Sequence, residues 1–288
     1  MEQEGISAAW VVNLIKDFTL NSPHNTLQNK TGDKAWDEPL VGFSSGSDPL
    51  FDEFKNHIGD FYWTPAEIFS LTFPEAGASA SELTVISWIL PQTAETKRDN
   101  QLEQRFPSER WARSRSIGEE FNGELRKHVL ASLQAAGCQA MAPEFSPLKK
   151  SGPISERYGR ASNWSERHTA FASGLGTFGL CDGLITAAGK AMRCGSVIAR
   201  ITLPPTTRAY QDHHAYCLYY GKGKCGKCVE RCPAGAISTA QGHDKEKCRT
   251  YLQDITKEYV KTNFGIDAYG CGLCQTGVPC ESRIPMKV

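Results

Sequence analysis

Apolar residues near the start of the chain recur every fourth position, at Ile6, Trp10, Leu14 and Phe18, which predicts an amphipathic helix over residues 6–18 packed on a core. Residues 21–59 are rich in Pro, Gly, Asp and Asn and read as long loops, with a short helix over 50–58. The aromatic run Phe61-Tyr62-Trp63 and Phe69 reads as core packing. Residues 83–90 (Leu-Thr-Val-Ile-Ser-Trp-Ile-Leu) are continuously apolar and stop at Pro91, which predicts a strand buried on both faces. Lys97, Arg98, Arg105, Arg110, Arg113 and Arg115 follow, interspersed with acids, a solvated loop leading into a helix. That helix spans 114–136, with Ile117, Phe121, Leu125, Val129 and Leu133 on one face and Gly137 as its stop. A strand is expected at 138–142, and a β-hairpin from 183–186 and 196–202 around Ala188-Gly189-Lys190. Residues 247–260 return to helical spacing, with Tyr251, Leu252, Ile255 and Tyr259 on one face. Helices and strands so mixed make an α+β chain.

At 288 residues and 31.7 kDa there is room for one large domain and a small one. The Leu203-Pro204-Pro205 stop divides them, giving domains 1–207 and 208–288. The formal net charge is zero, so no global field favours nucleic acid or acidic lipid, and neither stable nucleic-acid binding nor a membrane partner is expected. No apolar run approaches the roughly 20 residues of a membrane span. The opening Met-Glu-Gln-Glu-Gly is acidic, without the basic start of a secretory signal. With abundant thiols, these features predict a cytoplasmic protein.

The cysteines carry the clearest chemistry. Eight of eleven fall between residues 217 and 280: Cys217, Cys225, Cys228, Cys232, Cys248, Cys271, Cys274 and Cys280. Cys225-Gly-Lys-Cys228-Val-Glu-Arg-Cys232-Pro233 is most of the ferredoxin run, in which the cysteine before proline crosses to the other cluster. Lys222 stands where that run would open, so Cys217 is expected to reach in from upstream. Crossover then assigns Cys217, Cys225, Cys228 and Cys280 to one 4Fe-4S cluster and Cys232, Cys248, Cys271 and Cys274 to a second. Zinc sites favour C-x2-C pairs about 15–20 residues apart, whereas these pairs lie farther apart and would leave cysteines idle. Disulfides belong to oxidising compartments. Cys138, Cys181 and Cys194 read as buried small apolar residues.

A second stretch holds Gly174, Gly176 and Gly179 in the order G-x-G-x-x-G. A dinucleotide fingerprint needs a strand before the glycines and an acid about 20 residues on. Here Trp164, His168, Phe171 and Ala172 have helical spacing before them, and that acid is missing. What remains is a helix ending in a glycine-rich loop open to close backbone approach.

Together, Glu166-Arg167, Gly174-Leu175-Gly176, Leu184-Ile185-Thr186, Gly195-Ser196, the run from Cys225 to Pro233, Lys247-Cys248 and Tyr269-Gly270-Cys271 resemble the epoxyqueuosine reductase family, corrinoid-dependent iron–sulfur reductases related to reductive dehalogenases. The likeness runs from about Leu83 to the end. It implies a nitroreductase-like α/β domain that binds cobalamin, followed by a ferredoxin-like domain with two 4Fe-4S clusters. By that resemblance Gly174, Leu175, Gly176, Thr177 and Gly179 would contact the corrinoid. The second cysteine run departs from the family, since Cys280 comes two residues late. Arg160 occupies the place of the family's proton-donating aspartate. Arginine keeps its proton at ordinary pH, so a substrate other than epoxyqueuosine is expected.

The implied activity is reduction of a small molecule by a low-valent corrinoid, with electrons entering from a donor such as a ferredoxin or flavodoxin. Tyr158 and His168 are the candidate proton donors and Arg160 the group that orients an anionic or carbonyl oxygen. The bland reading makes His168 a structural histidine and Glu166-Arg167 an ion pair bracing the loop. Two further readings stay open: a corrinoid reductase or delivery protein, and a plain two-cluster electron carrier.

Overall fold

The structure is a computed structural model that describes residues 5–285. The acidic Met1 to Glu4 and residues 286–288 lie outside the described residues. Helix α1, Ala8–Asn21, is capped by Ser7, whose hydroxyl accepts from Trp10 N–H. Its buried stripe is Val11, Ile15 and Thr19, with Ile6, Trp10, Leu14 and Phe18 half-buried beside it. The period is the expected one, rotated by one residue. Strand β1, Leu40–Ser45, runs through the stretch expected to be loop. Its six residues carry too little alternation to announce a strand, and pairing with a longer neighbour makes it one. Helices α2, Leu50–Ile58, and α3, Pro65–Thr72, follow, and then β2, Leu83–Pro91, buried along its whole length.

Helix α4, Ala94–Leu102, leads to α5, Glu109–Ala135, which starts at Ser108, five or six residues earlier than its apolar face suggests. There Arg110 is paired with Asp33 and Asp99. Next come β3, Ala140–Met141, the hairpin β4, Ser151–Ser155, with β5, Gly159–Ser162, and helix α6, Glu166–Ala172. Strand β6, Gly176–Phe178, pairs with β7, Leu184–Thr186, and β8 runs from Met192 to Arg200.

The hairpin expected around Ala188-Gly189-Lys190 therefore does not form. β7 turns back onto β6, while β8 enters the main sheet, whose order is β1-β2-β8-β3 and whose pairings are antiparallel. Nine matched residues with β2 offer β8 far more ladder than three-residue β7 does. Alternation along β2 separates two cores. Ile86, Trp88 and Leu90 face α1 and α5, whereas Leu83, Val85 and Ile89 face α2, α3 and α6. Both faces are covered, which is why the run is continuously apolar.

The last part of the chain is mostly turns, with α7, Leu218–Lys222, α8, Lys227–Glu230, strands β9, Ile237–Ser238, and β10, Gly242–His243, then α9, Lys245–Thr250. A π turn over Tyr251–Thr256 connects α9 to α10, Lys257–Phe264. The extra residue per π turn moves the buried stripe to Tyr251, Thr256 and Val260 and leaves Ile255 exposed, a correction to the even helical face. Tyr210, Tyr216, Cys217, Cys228 and Ile237 join the same core as α2, α3 and α6.

Candidate iron–sulfur site

Each cysteine is set by short local devices. Cys217 caps α7, with its N–H on His214 O at 2.8 Å, and Tyr216 N–H is held by Thr177 Oγ1 at 2.9 Å. Cys225 enters α8 and Cys228 lies on it. Cys232 Sγ accepts the Ala236 N–H at 3.3 Å. Asp244 caps α9 by accepting from Glu246 and Lys247 N–H at 3.1 and 3.0 Å, which fixes the turn that carries Cys248. Asn100 Nδ2 donates to Cys271 O at 3.2 Å and to Thr276 Oγ1 at 3.0 Å. Lys190 N–H donates to Cys280 O at 2.9 Å. At Gly189, φ is +85° and an added Cβ would sit 2.0 Å from Glu281 O, so only glycine lets the turn lie against this loop.

Cys217, Cys225, Cys228 and Cys280 line one pocket, together with Gly179, Ile185 and Lys190. Cys232, Cys248 and Cys271 are electrostatic neighbours, and Cys271 also neighbours Cys274. Among the described residues no group of three Cys, His, Asp or Glu side chains converges tightly enough for a single ion. The first set, Cys217, Cys225, Cys228 and Cys280, surrounds a void.

Two residues outside the cysteine runs complete the site. Cys181, expected to be a bland core residue, hydrogen-bonds with Cys228 on one side and Cys274 on the other. Those contacts push its thiol well down despite burial. Lys190 is 2% exposed, and its Nζ donates to Cys181 Sγ at 3.2 Å. Burial opposes the lysine charge, but the sulfurs of Cys181, Cys280, Cys274 and Cys228 outweigh it and the net shift is upward. An ammonium buried without counter-charge is costly. Thiolates bound to a cluster would supply that charge, so the donor set fits two 4Fe-4S clusters. The sequence signal for Cys181 and Lys190 is slight, since neither belongs to a cysteine motif.

The glycine-rich stretch does not fit the corrinoid role. Leu175, Gly176, Thr177 and Gly179 are buried and Gly174 is half-buried, all against protein. A Cβ on Gly176 would fall 2.3 Å from Ile185 O, and one on Gly174 3.1 Å from Thr206. Tyr210 Oη meets Gly176 N–H at 3.3 Å. The glycines allow β6 to pack under β7, and no open face of this stretch is left for a ring.

His168 is also corrected. Its Nδ1 lies 2.8 Å from Ser165 Oγ, and its ring packs against Phe54, Tyr62 and Phe178. Burial first, then Arg167 and Lys245, depress it to about 3, so at ordinary pH it is a neutral imidazole without the acidic imidazolium proton that a general acid needs. Glu166 and Arg167 part company. Glu166 reaches Arg126 at 3.4 Å, and Arg167 donates to the Asp182 carbonyl. Glu166 Oε2 and Arg126 Nε are buried without partners among the described residues.

Tyr158 and Arg160 sit at the surface on the β4–β5 hairpin. Tyr158 Oη is 2.5 Å from His57 Nε2, and Arg160 Nε is 3.1 Å from Glu246 Oε1. Lys245 Nζ donates to Arg160 O at 3.1 Å and lies 5.4 Å from the Tyr158 ring centre. Below them His243 pairs with Asp182 at 3.3 Å and hydrogen-bonds Cys248. Burial disfavours the His243 charge, but those two bonds lift it to about 9. Asp182 is in turn an electrostatic neighbour of Lys245 and Tyr158, so a polar track of charges, not a hydrogen-bonded chain, leads from Cys248 toward an exposed, mainly cationic patch.

Residues 223–280 match the family described as a 4Fe-4S double cluster binding domain, which includes seven of these cysteines and leaves Cys217 just outside. The chain is 30% identical over 120 residues to the epoxyqueuosine reductase of Bacillus anthracis, covering 40% of this chain and 29% of that protein. It is 30% identical over 138 residues to that of Atelocyanobacterium thalassa, covering 46% and 39%. The matched stretches span well under half the length of these curated relatives. A crystal structure of selenomethionine-labelled epoxyqueuosine reductase aligns at a TM-score of 0.45 and 19% identity, over 84% of this chain and 61% of that one. The chain is thus similar to epoxyqueuosine reductases over less than half of its length, and its residues 223–280 match a 4Fe-4S double cluster binding domain.

Proposed function

We propose that the chain is an iron–sulfur reductase that takes electrons from a low-potential donor and delivers them to a small, anionic or carbonyl-bearing substrate. Cys217, Cys225, Cys228 and Cys280 would hold one cluster and Cys232, Cys248, Cys271 and Cys274 the other, in a small domain beginning near residue 208. When bound, the clusters supply one-electron transfer at low potential. His243, between Cys248 and Asp182, lies at the start of the track toward the patch. There Arg160 and Lys245 would hold the anionic oxygen. Tyr158, with His57 behind it, would present a proton at Oη. The family resemblance implies a corrinoid between clusters and substrate, but the glycine stretch, packed under β7, does not fit one.

The observation that carries this reading is the buried Lys190 ammonium, whose favourable charge neighbours are cysteine sulfurs. Anaerobically purified protein is expected to hold about eight iron atoms per chain, four per cage. Zinc in their place, or about four iron atoms or fewer, would overturn it. The buried glycine stretch favours a second reading, a plain two-cluster electron carrier. Adding cobalamin to reduced protein separates the two corrinoid outcomes. Stoichiometric retention of cobalt through gel filtration restores the corrinoid, and its absence leaves a corrinoid-free reductase or a carrier. Reduced protein that consumes no small molecule while passing electrons to a partner protein is the carrier.

A further inference from the structure

Lys190 is placed by its backbone and charged at its tip. Its N–H and that of Ala191 donate to the Cys280 and Glu281 carbonyls at 2.9 and 3.2 Å, while its side chain turns inward to Cys181. Cys228 and Cys280 belong to the first set of cysteines and Cys274 to the second, and Cys181 hydrogen-bonds across the two sets. Glu281, next to Cys280 in the chain, has its carboxylate engaged elsewhere, accepting from Gln101 at 2.6 Å and from Gly277 N–H at 2.6 Å.

We propose that Lys190, seated through Cys181 between the two cysteine cages, is a positioning residue that raises the reduction potentials of both clusters. This rests on the reading of the cages as iron–sulfur sites, but on no substrate and no corrinoid. Reduction adds a negative charge to a cage. A fixed cation in a poorly screened interior stabilises that reduced state more than the oxidised one. Hydrogen bonds and charge near the sulfurs are the means by which protein sets cluster potential. One cation shared by two cages moves both potentials in the same direction, which keeps electron transfer between them close to balanced.

The test is an anaerobic, EPR-monitored redox titration of full-length wild type, K190M and K190R, with iron counted in each. K190M keeps length and removes charge, and the backbone bonds that tie the turn to Cys280 survive the change. The expected result is unchanged iron and, for both clusters, a tenfold or greater fall in the equilibrium constant for one-electron reduction, about 59 mV to lower potential. K190R is expected to stay within that margin of wild type. Unmoved potentials in a fully loaded K190M overturn the inference. If K190M loses iron, K190R decides: retained iron with near-wild-type potentials supports the role of charge, and lost iron or an equal shift refutes it. A wild-type chain without iron would instead sink the reading of the cages themselves.

Discussion

At the scale of single residues, environment overrides identity. His168 sits in the stretch that looked catalytic, yet packing against Phe54, Tyr62 and Phe178 keeps it neutral, with its value lowered to about 3. The unfolded chain binds a proton near pH 6.5 and the folded chain does not. Stability is therefore retained above pH 6.5 and lost as the pH falls from there toward 3. The ring is not wholly enclosed, so the loss between pH 7 and 5 is expected to be on the order of 1 kcal/mol. Thermal melts of wild type and His168→Gln at the two pH values check this; an equal loss in both would refute it. Cys181 shows the converse. Sequence made it a small apolar residue, and the fold sets it among cluster cysteines. A pattern of spacings cannot register a thiol that comes from a different part of the chain.

Elements show where periodicity stops. The extent of β2 and the position of α2 follow from apolar patterning, because each meets the core along its own length. The partner of β8 does not, since alternation names a strand's faces and not its neighbours. The freed segment 187–190 becomes a turn pressed on residues 280–281. Gly189→Ala would put a methyl group into the Glu281 carbonyl and impose an unfavourable φ. That variant is expected to lose the cluster held through Cys280, with iron falling from about eight to about four per chain by metal analysis. Full retention of iron would show that the docked turn is dispensable.

For the whole molecule, the cysteine region is not an appendage. Tyr210, Tyr216, Cys217, Cys228 and Ile237 share a core with α2, α3 and α6. Arg231 donates to Leu273 O at 3.1 Å and to Asn100 O at 3.1 Å, tying both cysteine runs to α4. Metal that binds only the native state stabilises everything coupled to it. Anaerobic removal of iron is expected to lower the melting temperature reported by tryptophan fluorescence, although all six tryptophans lie within residues 10–164. A fluorescence transition indifferent to iron would mean that the two regions unfold independently.

By itself the sequence determined the ligand chemistry and most of the local elements, because thiol spacing and apolar period are properties of neighbouring residues. Tertiary structure decided which distant groups share a space: Lys190 and Cys181 beside Cys228 and Cys274, Glu166 with Arg126 in place of Arg167, and β7 packed against the glycines. Such juxtapositions depend on which strands pair and which faces meet. Those choices are made by burial and hydrogen bonding across the whole chain, and no short window of residues contains them.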